Sequence, residues 1–237
     1  MFVLNLYLFF EEGIVFYKNY LKIGVSGFIG GMGLGIAMIS FIYSITNTSA
    51  AITLLCLAAM PFFTAILAYL FLKEKISINV WISIFIATVG IIIMAIGNTE
   101  KNSLIGFIFG LASSIGFSIF SVSLRWRKDT PKFTTVAIAG FFCFIFATIV
   151  ILITKQTFFS SSYNSSMFSL HGTLVCFGLI LYSIGSKAIP AAELTLLSLT
   201  EVIGGIFWVW LPIFGINEIP STNTIIGGFF LFVSLTY

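Results

Sequence analysis

Ala50 to Asn98 reads AAITLLCLAAMPFFTAILAYLFLKEKISINVWISIFIATVGIIIMAIGN. It holds two uncharged apolar runs, Ala50–Leu72 and Ile76–Gly97, separated by Lys73-Glu74-Lys75. At ~1.5 Å per residue each run is long enough to cross a hydrocarbon core, which needs about 20 residues. Pro61 lies within the first run. In water it would break a helix. In a membrane, neighbouring groups re-satisfy the freed carbonyl, here that of Leu57. The stretch therefore predicts a kinked span, a short charged turn and a second span.

Composition extends this to the whole chain. Charged residues make up 8% of the 237 and hydrophobic residues 59%, against roughly 25% and 45–50% in soluble domains. A water-soluble core cannot absorb that much apolar surface. The long uncharged runs lack period-2 alternation, which argues for helices and against an outer-membrane barrel. The eleven Lys and Arg sit mostly at span ends, a pattern that excludes a nucleic-acid surface. Cys56, Cys143 and Cys176 all lie in apolar runs and read as small core fillers. One His and no clustered ligand set predict no metal and no cofactor.

Taken in order, Phe2–Phe10 reads as the tail of a span and Glu11–Lys22 as a polar connector. Ile23–Ile45 is a full span. Gly27, Gly31 and Gly35 recur in it at four-residue spacing, which lets helix backbones approach closely. Leu104–Trp126 is another span, with Gly106, Gly110, Ser114 and Ser118 on one slowly drifting stripe. Phe133–Thr154 spans again, and the Ser-rich Lys155–Ser169 reads as an exposed loop. Leu170–Gly185 is a span entered by His171, and Ile189–Phe214 is a span that carries Glu193 and Glu201. The apolar segments at the two ends are too short to cross, so both terminal spans are expected to be clipped. Counting basic residues on alternate connectors puts nine on one side and two on the other. The positive-inside rule then places Glu11–Lys22, Lys73–Lys75, Arg125–Lys132 and Lys187 in the cytoplasm, and Lys155–Ser169 outside, for a multi-pass protein of the cell (inner or plasma) membrane.

The chain repeats itself. Shifted by 141 residues, Asn47-Thr48-Ser49-Ala50-Ala51 falls on Ala188-Ile189-Pro190-Ala191-Ala192. Three further residues are inserted late in the helix, and Lys73-Glu74-Lys75-Ile76-Ser77 then matches Asn217-Glu218-Ile219-Pro220-Ser221. A span ending Tyr-Ser-Ile precedes each copy: Tyr43-Ser44-Ile45 and Tyr182-Ser183-Ile184. An odd number of spans per unit starts the second copy on the opposite side of the membrane, the inverted repeat of many transporters. The expected fold is all-α, with a first repeat over residues 1–99 and a second over 100–237.

The stretch Ser49-Ala50-Ala51 followed by LLCLAAMPFFTAILAYLFLKEKIS resembles the EamA-like family of the drug/metabolite transporter superfamily. There a small-residue turn leads into a Leu-rich helix, a Pro, a short turn with Glu and a Gly-containing span. PAAELTLLSLTEV resembles the family's later unit, where Glu is usually followed by Pro; here Val202 stands in that place. The resemblance implies ten spans with both ends cytoplasmic. By that measure the first span, part of the second and the end of the tenth are missing.

Glu201 is the sharpest candidate. A carboxylate in mid-span costs roughly 3 kcal/mol on insertion scales, so it should face a cavity or a partner, or carry a proton. Ser198, Gly205 and Trp208 share its helical face, and Thr53, Met60, Pro61 and Thr64 stand on the matching stretch of the first copy. These residues are the expected pathway for substrate or ion, and Gly27, Gly31, Gly35, Gly106, Gly110 and Ser114 the expected packing contacts. Glu193 reads as a first-turn acid favoured by the helix dipole, and Glu74 as a partner of turn groups such as Lys73 or Lys75. The expected function is secondary transport of a small organic metabolite, with a proton or another ion as coupling partner and the bilayer as surroundings. A non-transporting or degenerate membrane scaffold fragment is the alternative. No HExxH, GxSxG or paired-carboxylate motif supports an intramembrane enzyme. Substrate, direction and oligomeric state are not legible.

Overall fold

The computed structural model describes residues 9–10, 13, 16–48, 50–96, 104–127, 131–155, 161–210 and 222–236, and among these there is no β-strand. Part of the expected connector is helical, as α1 (Phe16–Lys22). It is followed by α2 (Gly24–Asn47), α3 (Ala50–Leu57) and α4 (Met60–Leu67), which runs on into a π-helical turn, Ala68–Leu72. Next come α5 (Ile78–Ile96), α6 (Leu104–Trp126), α7 (Lys132–Thr154) and α8 (Ser162–Gly185). The second part closes with α9 (Ala191–Leu197), α10 (Thr200–Trp210) and α11 (Thr222–Thr236). Among the described residues, α2, α6, α7 and α8 are long and apolar enough to cross a membrane singly.

Small residues decide how the long helices pack. Lipid tails are as apolar as Leu, so helices in a bilayer gain by close contact and interhelical hydrogen bonds more than by leaving water. α2 lies between α6 and α7. Its Gly27, Gly31 and Gly35 face α7: a Cβ on Gly31 would come within 2.7 Å of Ile138 Cγ2, and one on Gly35 within 2.7 Å of Phe142 Cβ. A second row, Gly30 and Gly33, faces α6, and Gly33 meets the backbone of Gly116. The hydroxyl of Ser113 donates to the Ala37 carbonyl at 2.8 Å across the same contact. Around it, Leu34, Phe120, Leu124 and Val136 form one buried cluster. Tyr182 of α8 stacks on Phe120, and its hydroxyl pairs with Ser121 Oγ at 2.7 Å.

The second cluster joins the early and late parts of the chain. Ala65, Ile84 and Ala87 pack with Leu196, Leu199, Val202 and Leu231. α5 pairs lengthwise with α11, and α9 crosses α4. Gly90 makes a close contact in the α5–α11 crossing, where an added Cβ would meet the Gly227 carbonyl at 2.7 Å.

Two expectations need correction. The Ser-rich stretch is not a loop up to Ser169, because α8 starts at Ser162. Ser161 Oγ caps the first turn by accepting from Asn164 N at 3.3 Å. Ser166, Ser169 and Thr173 donate to the carbonyls four residues back, so hydroxyls that compete with a helix elsewhere are satisfied within this one. Only 6% of α8's apolar window is buried, which puts it at the edge of the bundle. Nor is Ile189–Phe214 one continuous helix. It is interrupted at Ser198-Leu199, between α9 and α10, and Trp210 is its last described residue.

Candidate functional site

Two interrupted helices lie at the centre, and their breaks fall 140 residues apart, at Ala58-Ala59 and Ser198-Leu199. The first has a covalent cause. Pro61 has no N–H to give and sits in the first turn of α4, where none is required. The chain tightens before it, with Ala59 N donating to Cys56 O at 3.1 Å. Two α6 hydroxyls serve carbonyls around the break: Ser114 Oγ donates to Cys56 O, and Ser118 Oγ to Met60 O at 3.1 Å.

The second break forms without proline. Thr195 and Ser198 turn their hydroxyls onto carbonyls of their own preceding turn, at 2.9 and 2.7 Å, and Thr200 does so onto Leu197 O at 2.8 Å. Leu199 N donates to Leu196 O, three residues back. Three hydroxyls in six residues offer the backbone alternatives to the regular ladder. Val202 in place of proline therefore does not prevent the interruption.

The first part of the second broken helix borders a cavity of about 410 Å³, bounded by the start of α5, by α9 and by the last turn of α11. Its polar lining is Ser77, Asn79, Ser83, Glu193 and Ser234, and Val80 and Leu196 are among its apolar walls. Ser77 Oγ accepts from Val80 N at 3.3 Å and so caps α5. Ser234 donates to Leu231 O at 2.7 Å. The cavity lies at the end of the bundle that carries the Lys73–Lys75 turn, since Ser77 and Asn79 follow that turn directly.

At that end, Arg125 at the close of α6 reaches two connectors. Its Nε donates to Glu74 Oε1 at 2.8 Å, and its Nη1 to Ser186 O at 3.2 Å and Ile189 O at 3.0 Å. Glu74 thus pairs with Arg125 rather than with a neighbouring lysine. Lys73 takes the left-handed conformation (φ 54°) that ends the π turn, and Glu74 N donates back to Ala68 O.

Residues 1–96 match the EamA-like transporter family. Relatives agree with the match. A Helicobacter pylori (strain J99 / ATCC 700824) protein described as an uncharacterized transporter is 32% identical over 95 residues, 40% of this chain and 32% of the relative. A Clostridium kluyveri protein of the same description is 28% identical over 138 residues, 54% of this chain and 43% of the relative. The chain thus spans less than half the length of these relatives. A solved crystal structure shares the fold at a TM-score of 0.64 and 14% identity, over 92% of this chain and 87% of that one. With its apolar helices, the chain is a multi-pass, all-α membrane protein.

Within the matched residues 1–96, Thr53, Met60, Pro61 and Thr64 are buried on α3 and α4, the helices that lie along α6. Thr53 Oγ1 pairs with Ser44 Oγ at 2.9 Å, and the Thr64 hydroxyl has no partner among the described residues. Beyond it, Ser198 is half-buried at the break. Glu201 stands exposed in the first turn of α10, not in the middle of a helix. A Cβ built on Gly205 would lie 3.9 Å from Leu54 Cδ1 of α3. Trp208 falls on α10, but its side chain lies outside the described set. Gly106, Gly110 and Ser114 line the α6 face that meets Thr48, Cys56 and Ser44. The structure therefore places the residues expected to form a pathway in two settings, one buried against α6 and one around the α9–α10 break. None of those with described side chains lines the cavity. Sequence reading passed over Asn79 and Ser83. Their only signal is two polar residues four apart at the start of an apolar span.

Proposed function

We propose that this chain is a secondary transporter that moves a small organic metabolite by alternating access between two inverted halves, residues 1–99 and 100–237. The observation that carries this reading is the α5–α11 crossing. At one end Gly90 lies against the Gly227 backbone, and at the other the same two helices, with α9, line a cavity of about 410 Å³. A seam closed at one end and open at the other suits one state of a rocking cycle. The shifted sequence register, the paired helix breaks and the transporter names of the relatives support it. On this reading the Lys73–Lys75 end is cytoplasmic and the cavity opens inward. Glu201 is the coupling carboxyl: one turn on, Gly205 faces Leu54 across the two halves.

The test is flux through the full chain in proteoliposomes, by counterflow of labelled amino acids, amines and amphipathic drugs. Wild type should exchange at least one class. Glu201→Gln removes ionisation but keeps size, so it should insert normally, lose most flux and show a flatter pH profile. Wild-type flux in Glu201→Gln would remove Glu201 from coupling, and no counterflow of any class would remove the transport reading.

A further inference from the structure

We propose that the cavity between α5, α9 and α11 binds a small organic ammonium, with Glu193 as counter-charge and Asn79 and Ser83 as hydrogen-bond acceptors. The assignment deepens the transport reading above and takes its biological sense from it.

The charge comes first. Glu193 lines the cavity and has no ion pair or hydrogen bond among the described residues. The guanidinium of Arg125 sits at the same end but is taken up by Glu74 and two carbonyls. A cavity whose one charged group among the described residues is an unpaired carboxylate favours a cation and disfavours an anion. The neutral acceptors come next. Ser83 is only 4% exposed, lines the cavity, and its hydroxyl has no partner among the described residues. Asn79 stands one turn before it on α5 and likewise has no bonded partner there. An ammonium donates three hydrogen bonds, and a carboxylate, an amide oxygen and a hydroxyl can take them. The same groups do not suit a divalent metal, since no cluster of three His, Cys, Asp or Glu exists among the described residues.

Size and wall chemistry set the rest of the ligand. About 410 Å³ lies within the usual range of small-molecule sites. Val80, Leu196 and Leu235 supply apolar wall, so the ligand carries an apolar body behind its ammonium. Sequence also explains why the space is at this end. The 144-residue shift that aligns Lys73–Ser77 with Asn217–Ser221 carries Gly90 onto Ser234 and Ser83 onto Gly227. The crossing thus has a glycine pair where it is closed and a serine pair where the cavity lies.

The experiment is ligand-observed saturation-transfer NMR on the full chain in nanodiscs. The probe is phenethylammonium, with phenylacetate and 2-phenylethanol as acid and neutral analogues of similar shape. Wild type should bind the ammonium saturably, the alcohol about tenfold more weakly and the acid not at all. Glu193→Gln should weaken ammonium binding by about tenfold, Glu193→Asp should stay within about threefold, and Ser83→Ala should lose about threefold. Equal ammonium binding in Glu193→Gln overturns the proposal, as does wild-type binding of phenylacetate as tight as that of the ammonium. The analogue comparison on wild type decides it even if a variant does not fold. Binding and flux fail separately. Ammonium binding through Glu193 without flux leaves this site standing and removes transport; flux of an acid without ammonium binding does the reverse.

Discussion

Arg125 Nε and Glu74 Oε1, 51 positions apart in sequence, form an ion pair of 2.8 Å. The same guanidinium holds the carbonyls of Ser186 and Ile189, so one side chain ties the end of α6 to the turn before α5 and to the connector before α9. The two side chains are 18% and 25% exposed, enough burial for the charges to hold each other more firmly than a surface pair does.

Arg125→Leu should therefore destabilise the protein by about 1–3 kcal/mol, the usual cost of removing hydrogen bonds to a charged group. Glu74→Gln should cost less, since Arg125 keeps its two carbonyls. Arg125→Lys should behave nearly like Leu, because an ammonium cannot reproduce the fork. Thermal unfolding in detergent across the Arg125–Glu74 double-mutant cycle checks this. Additive losses in the double variant would mean that the pair is not coupled.

The glycine contacts are close enough to rank substitutions. A Cβ on Gly31 would lie 2.7 Å from Ile138 Cγ2 and 3.2 Å from Ala139 N, and one on Gly110 2.7 Å from Cys56 Cβ. Leu at either position should lower stability by at least the ~1–3 kcal/mol typical of overpacking. Gly172 has nothing within 4 Å of an added Cβ, so Gly172→Ala should be neutral or slightly stabilising through helix propensity. Size-exclusion profiles after a heat step would separate the three. Normal behaviour of both Leu variants would show that the helices do not touch there.

Ser114 serves the carbonyl of Cys56 beside the Pro61 break, and Ser118 serves that of Met60. Ser114→Ala should leave a buried carbonyl unsatisfied at a cost of about 1–3 kcal/mol. Pairing it with Pro61→Ala should recover part of the loss, because α3 and α4 could then join into a regular helix. Thermal shift on the single and double variants reads this out, and no recovery would mean that proline is not what opens the break.

Orientation is a separate prediction. Single cysteines at Lys128 and Ser162, in a background without Cys56, Cys143 and Cys176, should react oppositely with an impermeant maleimide on whole cells. Ser162 should label and Lys128 should not, because basic connectors stay inside. The reverse pattern would invert the orientation and turn the cavity outward.

Class, span positions and helix breaks depend on properties carried along the chain. An apolar run of about 20 residues must become a helix in lipid, since no water satisfies its backbone. Pro61 needs only its own missing N–H to interrupt the run that holds it. The corresponding break at Ser198-Leu199 was harder to read, because its cause is three hydroxyls whose choice between solvent, neighbour and own backbone depends on surroundings. The start of α8 at Ser162 was missed for the same reason. Partnerships across the bundle belong to tertiary structure alone. Nothing near Glu74 in sequence points to Arg125, and nothing around Asn79 or Ser83 points to Glu193, because these residues meet only when α5, α6 and α9 cross. Periodicity tells which way a side chain leaves its helix, but which helix faces it is decided where small residues let two backbones approach.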